Sequence, residues 1–458
     1  MQDIFDFNST KRNFLFCSII ILAGGIGFFS TFLGYKIETK FLFYVLFLLL
    51  ILSVIFFGFI SSYKIHGYLD ILSPYVYFPL MYLVVYGVGP HKALTLNEET
   101  GYKVLLIVSL GFLSYLMGAL MVSGILMNKK KRVTSDEKAL SSLSSYSYKK
   151  IVKLTFFIGI ISTVVFWAKA KGIPALASDL ENSRVAALEG NGIPYYFSMS
   201  IMISVWVFFL IEKKLKKQVI YMILGMILLM STGWRNTSVA LICVAILIYH
   251  YRYPIPFRKL VFTGIILVVV IAVSGLFRIY SSDLQGYQLM SMMQSGNYVG
   301  AFFSYLYSYP VVFTDNLILV LDGFSHSMNF LHGKSLIWNF GLIIPGFDTQ
   351  AFDFFLKDYL RVGFAGGGLP PTLLGDLYLN FNYIGIFLGM LIVGALNSFL
   401  HYKFINNKTN LVGLSSLIAL YYLSVSIRGG IENITLITTW LLVLVFILSR
   451  ISRIKISR

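Results

Sequence analysis

Five arginines stand in stretches unlike the rest of the chain: Arg184 in DLENSRVAALEGNG, Arg235 in STGWRNTS, Arg278 in SGLFRIYSS, Arg361 in DYLRVGFAGGGLPP and Arg428 in SVSIRGGIEN. Most mark the edge of an apolar segment beside Gly or Ser. A guanidinium is a planar fork of N–H donors, charged at every physiological pH, and it grips phosphate oxygens two at a time. Gathered on one face of a membrane, such groups suit a phosphate or pyrophosphate carried on a lipid. The competing reading is that each side chain only reaches to the headgroups. It is strongest for Arg278, directly after an apolar run. Arg235 and Arg428 sit in very short turns that hold a cation close to the protein, which favours function.

The segment 361 to 394 is the most unusual in composition. Gly366, Gly367 and Gly368 let backbone N–H groups approach an anion or a sugar, and Pro370 and Pro371 stiffen the exit. The same glycines would also serve a plain tight turn. A reaction at a sugar hydroxyl gains from a general base, for which Asp376, Glu432, His326 and His332 are the candidates. Asp376 and Glu432 rank first because they neighbour the favoured arginines. A structural ion pair, or for Asp376 a helix cap, is the alternative. The aromatic run FFSYLYSY, 302 to 309, could stack on sugars or anchor at the membrane interface.

The elements that carry these residues are read from composition. Of 458 residues, 57% are hydrophobic and 12% charged, too little charge for a protein whose only solvent is water. The net charge of +17 lies between apolar segments and not on one soluble face, so it speaks for membrane orientation and against nucleic acid. Cys17 and Cys243 fall inside apolar segments and offer no disulfide framework or Cys-based metal site.

Crossing the hydrocarbon takes about 20 apolar residues in a helix. Twelve segments qualify: 14 to 34, 41 to 62, 70 to 90, 103 to 127, 151 to 169, 195 to 211, 219 to 234, 236 to 251, 260 to 277, 382 to 402, 411 to 427 and 433 to 449. The run around STGWRN would read as one long helix, but a guanidinium at mid-bilayer costs about 2.5 to 3.5 kcal/mol, so the chain is split there into two short spans joined by a turn. That split puts the basic runs at 129 to 132, 213 to 217 and 258 to 260 and the basic tail on one side, as the positive-inside rule demands of the cytoplasmic face. Arg235 then lies at the outer surface. The stretch 298 to 324 is apolar but carries Pro310, Asp315 and Asp322, and is expected as helices in or dipping into the interface. The expectation is one all-α integral membrane domain over 1–458, with 278–381 as a large outer loop forming part of the site.

The ordered set GIPALASDLENSR, STGWRN, the loop ending GGGLPPTLLGDLYLNFNYIGI, and IRGG before the last span resembles the O-antigen and capsule repeat-unit polymerases of the Wzy type. The likeness covers most of the chain in motif order and topology. Where members often show Gly-Tyr-Ile-Gly after the LYLNF element, this chain has Asn382 before Tyr383. The resemblance implies a polyprenyl-dependent membrane glycosyltransferase of the GT-C type in the bacterial inner membrane, both termini cytoplasmic and the site on the extracytoplasmic face. It would move a growing glycan from undecaprenyl pyrophosphate onto an undecaprenyl-pyrophosphate-linked repeat unit. Membrane lipids and a chain-length regulator protein are its implied partners, with no nucleic acid. Arg184, Arg235, Arg278, Arg361, Arg428 and Gly366 to Gly368 would bind substrate, and Asp376 and Glu432 would act in catalysis. Prepositioned arginines can stabilise a departing pyrophosphate as a metal otherwise would. With no Asp-x-Asp in the sequence, neither metal nor cofactor is expected.

HGKS at 332 to 335 has Met328 where a P-loop needs its first glycine, and no Gly-x-Ser-x-Gly or His-Glu-x-x-His occurs. Two rivals stand. An O-antigen ligase shares the architecture and donor and transfers the glycan to a lipid A core. A flippase or transporter would need charged or broken helices near mid-bilayer, where charges here are scarce.

Overall fold

The structure, a computed structural model, describes residues 37–90, 98–127, 140–177, 180–188, 190–281, 287–324, 329–344, 350–363 and 367–454. Among these every regular element is a helix. In chain order they are α1 (Ile37–His66), α2 (Tyr77–Tyr86), α3 (Glu98–Met127), α4 (Leu140–Lys169), α5 (Leu180–Leu188), α6 (Gly192–Ser198) and α7 (Ser200–Ile211). Then follow α8 (Leu215–Met230), α9 (Arg235–Arg252), α10 (Phe257–Ser281), α11 (Tyr287–Gln294), α12 (Tyr298–Phe324) and α13 (Lys334–Trp338). The last are α14 (Phe352–Tyr359), α15 (Thr372–Asn406), α16 (Leu411–Gly429) and α17 (Ile431–Ile454). The expected first span at 14 to 34, the basic run at 129 to 132, His326 and Gly366 lie outside the described residues.

Among the described residues, seven helical stretches are long and apolar enough to cross a membrane: Phe41–Tyr63, Glu99–Leu126, Tyr148–Lys169, Gly192–Ile211, Phe257–Phe277, Thr372–Ile405 and Leu411–Gly429. The chain is therefore a multi-pass helical membrane protein. The expected count of twelve goes beyond this. Over two of those segments α8 and α9 form, 16 and 18 residues long, and Tyr77–Tyr86 and Ile434–Arg450 are shorter apolar helices. The stretch 298–324 forms one helix of 27 residues, α12, with Pro310 inside it. Proline has no N–H to return to the carbonyl one turn back, so this helix is weakened just after Tyr309.

Two compact units divide the chain. The first comprises residues up to Ile125, Pro310–His332 and Pro371–Ser398. In it α3 and α15 pack through small residues: a Cβ on Gly118 would overlap the Leu391 carbonyl, and one on Gly394 the Tyr115 carbonyl. Tyr115 anchors the unit, its ring stacked 4.0 Å from Phe78 and its hydroxyl donating to Pro74 O at 2.6 Å while accepting from Asn397 at 2.9 Å. The helix α15 is broken at Phe381 and Asn382, with Asn382 at φ 56°, ψ −149°. Carbonyls just before such a break lose their helical donors. Those of Leu379 and Asn380 are taken by the backbone N–H groups of Leu331 and His332, at 3.0 and 3.2 Å.

The second unit comprises Leu126–Tyr309, Gly333–Pro370 and Phe399 onward. At its centre is α7, apolar on all sides and buried almost throughout, as expected of a helix surrounded by others. Its few polar groups are satisfied by neighbours: Ser200 donates to Thr155 O at 2.8 Å, Ser204 to Val152 O at 2.6 Å, and Trp206 to Leu241 O at 3.1 Å. Against this helix pack α4, α8 and α9, and α16 pairs with α17.

Candidate functional site

Arg235 is the first residue of α9. The turn before it, 231–234, is where hydropathy splits the apolar run. Gly233 makes the turn possible at φ +85°, and an added Cβ there would stand 3.0 Å from Cβ of Arg184. Ser231 ties the turn to the preceding motif: its hydroxyl accepts from Trp167 at 3.1 Å and its carbonyl from Ala175 N at 3.4 Å. GIPALASDLENSR and STGWRN, with 46 residues (185–230) between them in the sequence, are thus brought together. Arg184, buried on α5, places its guanidinium 4.2 Å from the Trp234 ring centre.

The start of α9 is electrostatically odd. Trp234 at the N-cap makes no side-chain cap, so the first backbone N–H groups and the positive end of the helix dipole meet a guanidinium at the same point. A cation there is disfavoured by about 0.3–1 kcal/mol. Moreover Nη1 of Arg235 and Nε1 of Trp234 are buried without a hydrogen-bond partner among the described residues. Local structure explains Arg428 and Glu432 better, since Arg428 lies in the last turn of α16 and Glu432 in the first turn of α17, each at the helix end that suits its charge.

Between those two helices Gly430 adopts φ +91°, and the chain reverses within IRGG. Nη1 of Arg428 donates to the Tyr309 hydroxyl at 2.8 Å. Burial would push that phenol up, but the Arg428 and Arg235 guanidiniums and the Arg428 hydrogen bond outweigh it and hold the phenol below its ordinary value. Arg235 and Arg428 therefore act on the same oxygen.

Asp353 was not singled out by sequence, and it links the remaining motifs. Burial raises its carboxyl to about 6 against the hydrogen bond from Phe354 N and the charge of Arg184, both of which lower it. A Cβ on Gly368 would overlap this carboxyl, and Leu369 N donates to Asp353 O at 2.8 Å. Lys357 donates to Gly367 O at 3.3 Å. Beside Asp353, Phe352 N donates to Asn339 Oδ1 at 2.9 Å, and Asn339 Nδ2 donates to the backbone carbonyl of Glu432 at 3.1 Å. A circuit results: Arg428, Tyr309, Arg235, Trp234, Arg184, Asp353, Asn339 and Glu432, all in the second unit. Glu432 is fully buried.

Asp376 is fully buried on α15 in the first unit, where Oδ1 and the backbone carbonyl accept from Asn380 at 3.1 and 2.8 Å. Arg361 is exposed, with φ 53°. Arg278 is on α10, its side chain outside the description. His332 is exposed, at φ 48°. Sequence missed Tyr309, Asp353 and Asn339. Only Tyr309 carried a signal, as the last residue of FFSYLYSY.

The fold defines a multi-pass helical membrane protein whose second unit carries Arg184, Arg235 and Arg428. Residues 70–299, half of the chain, match the family model described as "Putative O-antigen polymerase". The chain belongs to that O-antigen polymerase family. The matched region holds Arg184, Arg235 and Arg278 and ends before Tyr309. No curated protein and no solved structure matches the chain.

Proposed function

We propose that the protein polymerises O-antigen or capsule repeat units by transferring the growing glycan from undecaprenyl pyrophosphate to an incoming undecaprenyl-pyrophosphate-linked repeat unit. In this reading the chain crosses the bacterial inner membrane twelve times with both termini cytoplasmic, and the segment 278–381 belongs to the extracytoplasmic face. The acceptor hydroxyl oxygen forms a bond to the anomeric carbon of the donor glycan. The bond from that carbon to the diphosphate oxygen breaks, its electron pair leaving with the diphosphate. Arg235 and Arg428 hold the departing diphosphate, and the hydroxyl proton passes to a carboxylate, for which Glu432 is the choice within the second unit.

One observation carries this reading: Arg235 is a guanidinium at the disfavoured end of a helix, with Nη1 buried and no acceptor among the described residues. A diphosphate supplies the missing acceptor oxygens and the opposite charge. Because negative charge grows on the diphosphate as the bond breaks, fixed donors here stabilise the transition state more than the ground state.

The test uses the purified full chain in detergent with lipid-linked repeat units, no nucleotide sugar and no added metal. Products longer than one unit support the reading. Repeat units returned unchanged while the protein is folded contradict it.

A further inference from the structure

We propose that Trp234 and Ser238 are further ligands of the diphosphate, the indole N–H and the hydroxyl donating together with Arg235 to its oxygens at the start of α9. This rests on the diphosphate reading above and deepens it. Within five consecutive residues, three buried side-chain atoms lack a hydrogen-bond partner among the described residues: Nε1 of Trp234, Nη1 of Arg235 and Oγ of Ser238. Folded proteins pair nearly all such atoms, so three in one helical turn point to a missing acceptor. Indole and guanidinium nitrogens only donate, and a hydroxyl donates as readily as it accepts. A ligand that completes the set is rich in oxygen and carries negative charge.

Helix geometry directs these groups to one place. Trp234 is the N-cap of α9 and Arg235 its first residue, and Ser238 follows them by four and three positions. Residues at those spacings share a helix face, with Cβ atoms about 5–6 Å apart. The Cα–Cβ bond of a helical residue tilts toward the N-terminus, so the side chain of Ser238 is aimed at the first turn. Ser238 is 4% exposed. Helical Ser and Thr often turn the hydroxyl back onto a carbonyl about one turn earlier, as Thr237 does to Trp234 O at 2.8 Å and Ser231 to Leu228 O at 2.5 Å. Ser238 Oγ has no such bond among the described residues. The uncapped backbone N–H groups of the same turn add to the donors.

Arg184 prepares the indole. Its guanidinium lies over the Trp234 ring, 4.2 Å from the centre, whereas the N–H leaves from the ring's edge, so the two contacts do not compete. A cation over the face draws π density and makes that N–H a stronger donor. Arg184 is a positioning residue that acts on the diphosphate through Trp234.

The chain has five tryptophans, so two-dimensional NMR of purified full-length protein in detergent, isotope-labelled at the indole nitrogens, resolves few N–H signals. Benzothienylalanine at position 234 keeps the shape of tryptophan and has no N–H; the signal it removes belongs to Trp234. Inorganic pyrophosphate is the probe. It is expected to shift that signal downfield in the native protein and not in Arg235→Ala. Short-chain phosphatidylglycerol at the same concentration should leave it in place; an equal shift would assign these donors to a membrane headgroup and overturn the proposal. By calorimetry, Ser238→Ala and the benzothienylalanine protein are each expected to bind pyrophosphate about tenfold to a hundredfold more weakly, the loss of one hydrogen bond to a charged group. Without pyrophosphate, Ser238→Ala should melt no lower than the native protein, because it removes a buried hydroxyl with no partner. A lower melting temperature would show that the protein itself holds the hydroxyl, and overturns its role as a ligand. An unmoved indole signal while pyrophosphate binds, or native affinity in both variants, overturns the proposal and leaves the arginine clamp standing. If pyrophosphate does not bind the native protein, the clamp itself fails and the proposal with it.

Discussion

The guanidinium of Arg184 lies 4.2 Å from the ring centre of Trp234, the residue immediately before Arg235. It joins a helix from one motif to the turn of another, and with Gly233 packed against its Cβ it fixes where α9 begins. Placement of Arg235 thus depends on residues that need never touch a substrate.

The two turns that present Arg235 and Arg428 require glycine. Gly233→Ala and Gly430→Ala put a side chain at φ +85° and +91°, each at a cost of about 1–3 kcal/mol. Both are expected to lower thermal stability and polymer output together. Gly67→Ala is the control, since Gly67 has φ +69° and open space around it. It should cost similar stability and leave activity per folded molecule intact.

For the carboxylates, isosteric amides separate charge from shape. Asp376→Asn keeps the oxygen that accepts from Asn380, and Glu432→Gln keeps the backbone carbonyl that accepts from Asn339. Loss of a general base costs about 100- to 10,000-fold in rate. Glu432→Gln is expected to show that loss with the melting temperature preserved, and Asp376→Asn measures whether the first unit's carboxylate shares the role.

Asn382 sits at φ 56°, ψ −149°, a conformation that suits glycine. Its side chain offsets part of the strain by accepting from Tyr383 N at 2.8 Å. The strain costs about 1–3 kcal/mol, and the extra chain entropy of glycine about 0.5–1 kcal/mol. Asn382→Gly is expected to raise the melting temperature in detergent. A lower one would show that the side-chain hydrogen bond is worth more than the strain.

Asp353 gives a pH dependence of stability with a definite sign. Its folded value of about 6 lies above the ordinary 3.8, so between these the folded chain holds a proton that the unfolded chain has released. Stability from this group therefore falls as pH rises through that window and levels off above it. Asp353→Asn, which keeps an acceptor for Phe354 N, should flatten the fall and be the more stable protein at pH 7.5, by about 1–3 kcal/mol. Parallel melting curves at pH 4.5 and 7.5 for both proteins measure it.

Hydropathy made the helices legible because apolar length dominates in a membrane protein. The turn at 231–234 was legible because Arg235 made a single span too costly. The break in α15 was less so: a polar approach through Asp376 and Asn380 masks a helix that starts at Thr372, ten residues before the expected span at 382. The arginines were readable as a set, but not their partners. Tyr309 and Arg428 are 119 residues apart, and no local pattern announces such a pair. Asp353 lies in a short amphipathic helix, α14, whose charge pattern alone looks like a solvated face.

The most direct measurement is chain length of product made by purified protein carrying Arg235→Lys or Arg428→Lys, from lipid-linked repeat units alone. Lysine keeps the charge and loses the fork, so both variants are expected to bind the membrane, fold and slow polymerisation at least about tenfold. Long-chain product at the native rate from either variant, or from Arg235→Ala, would contradict a diphosphate held between these two guanidiniums.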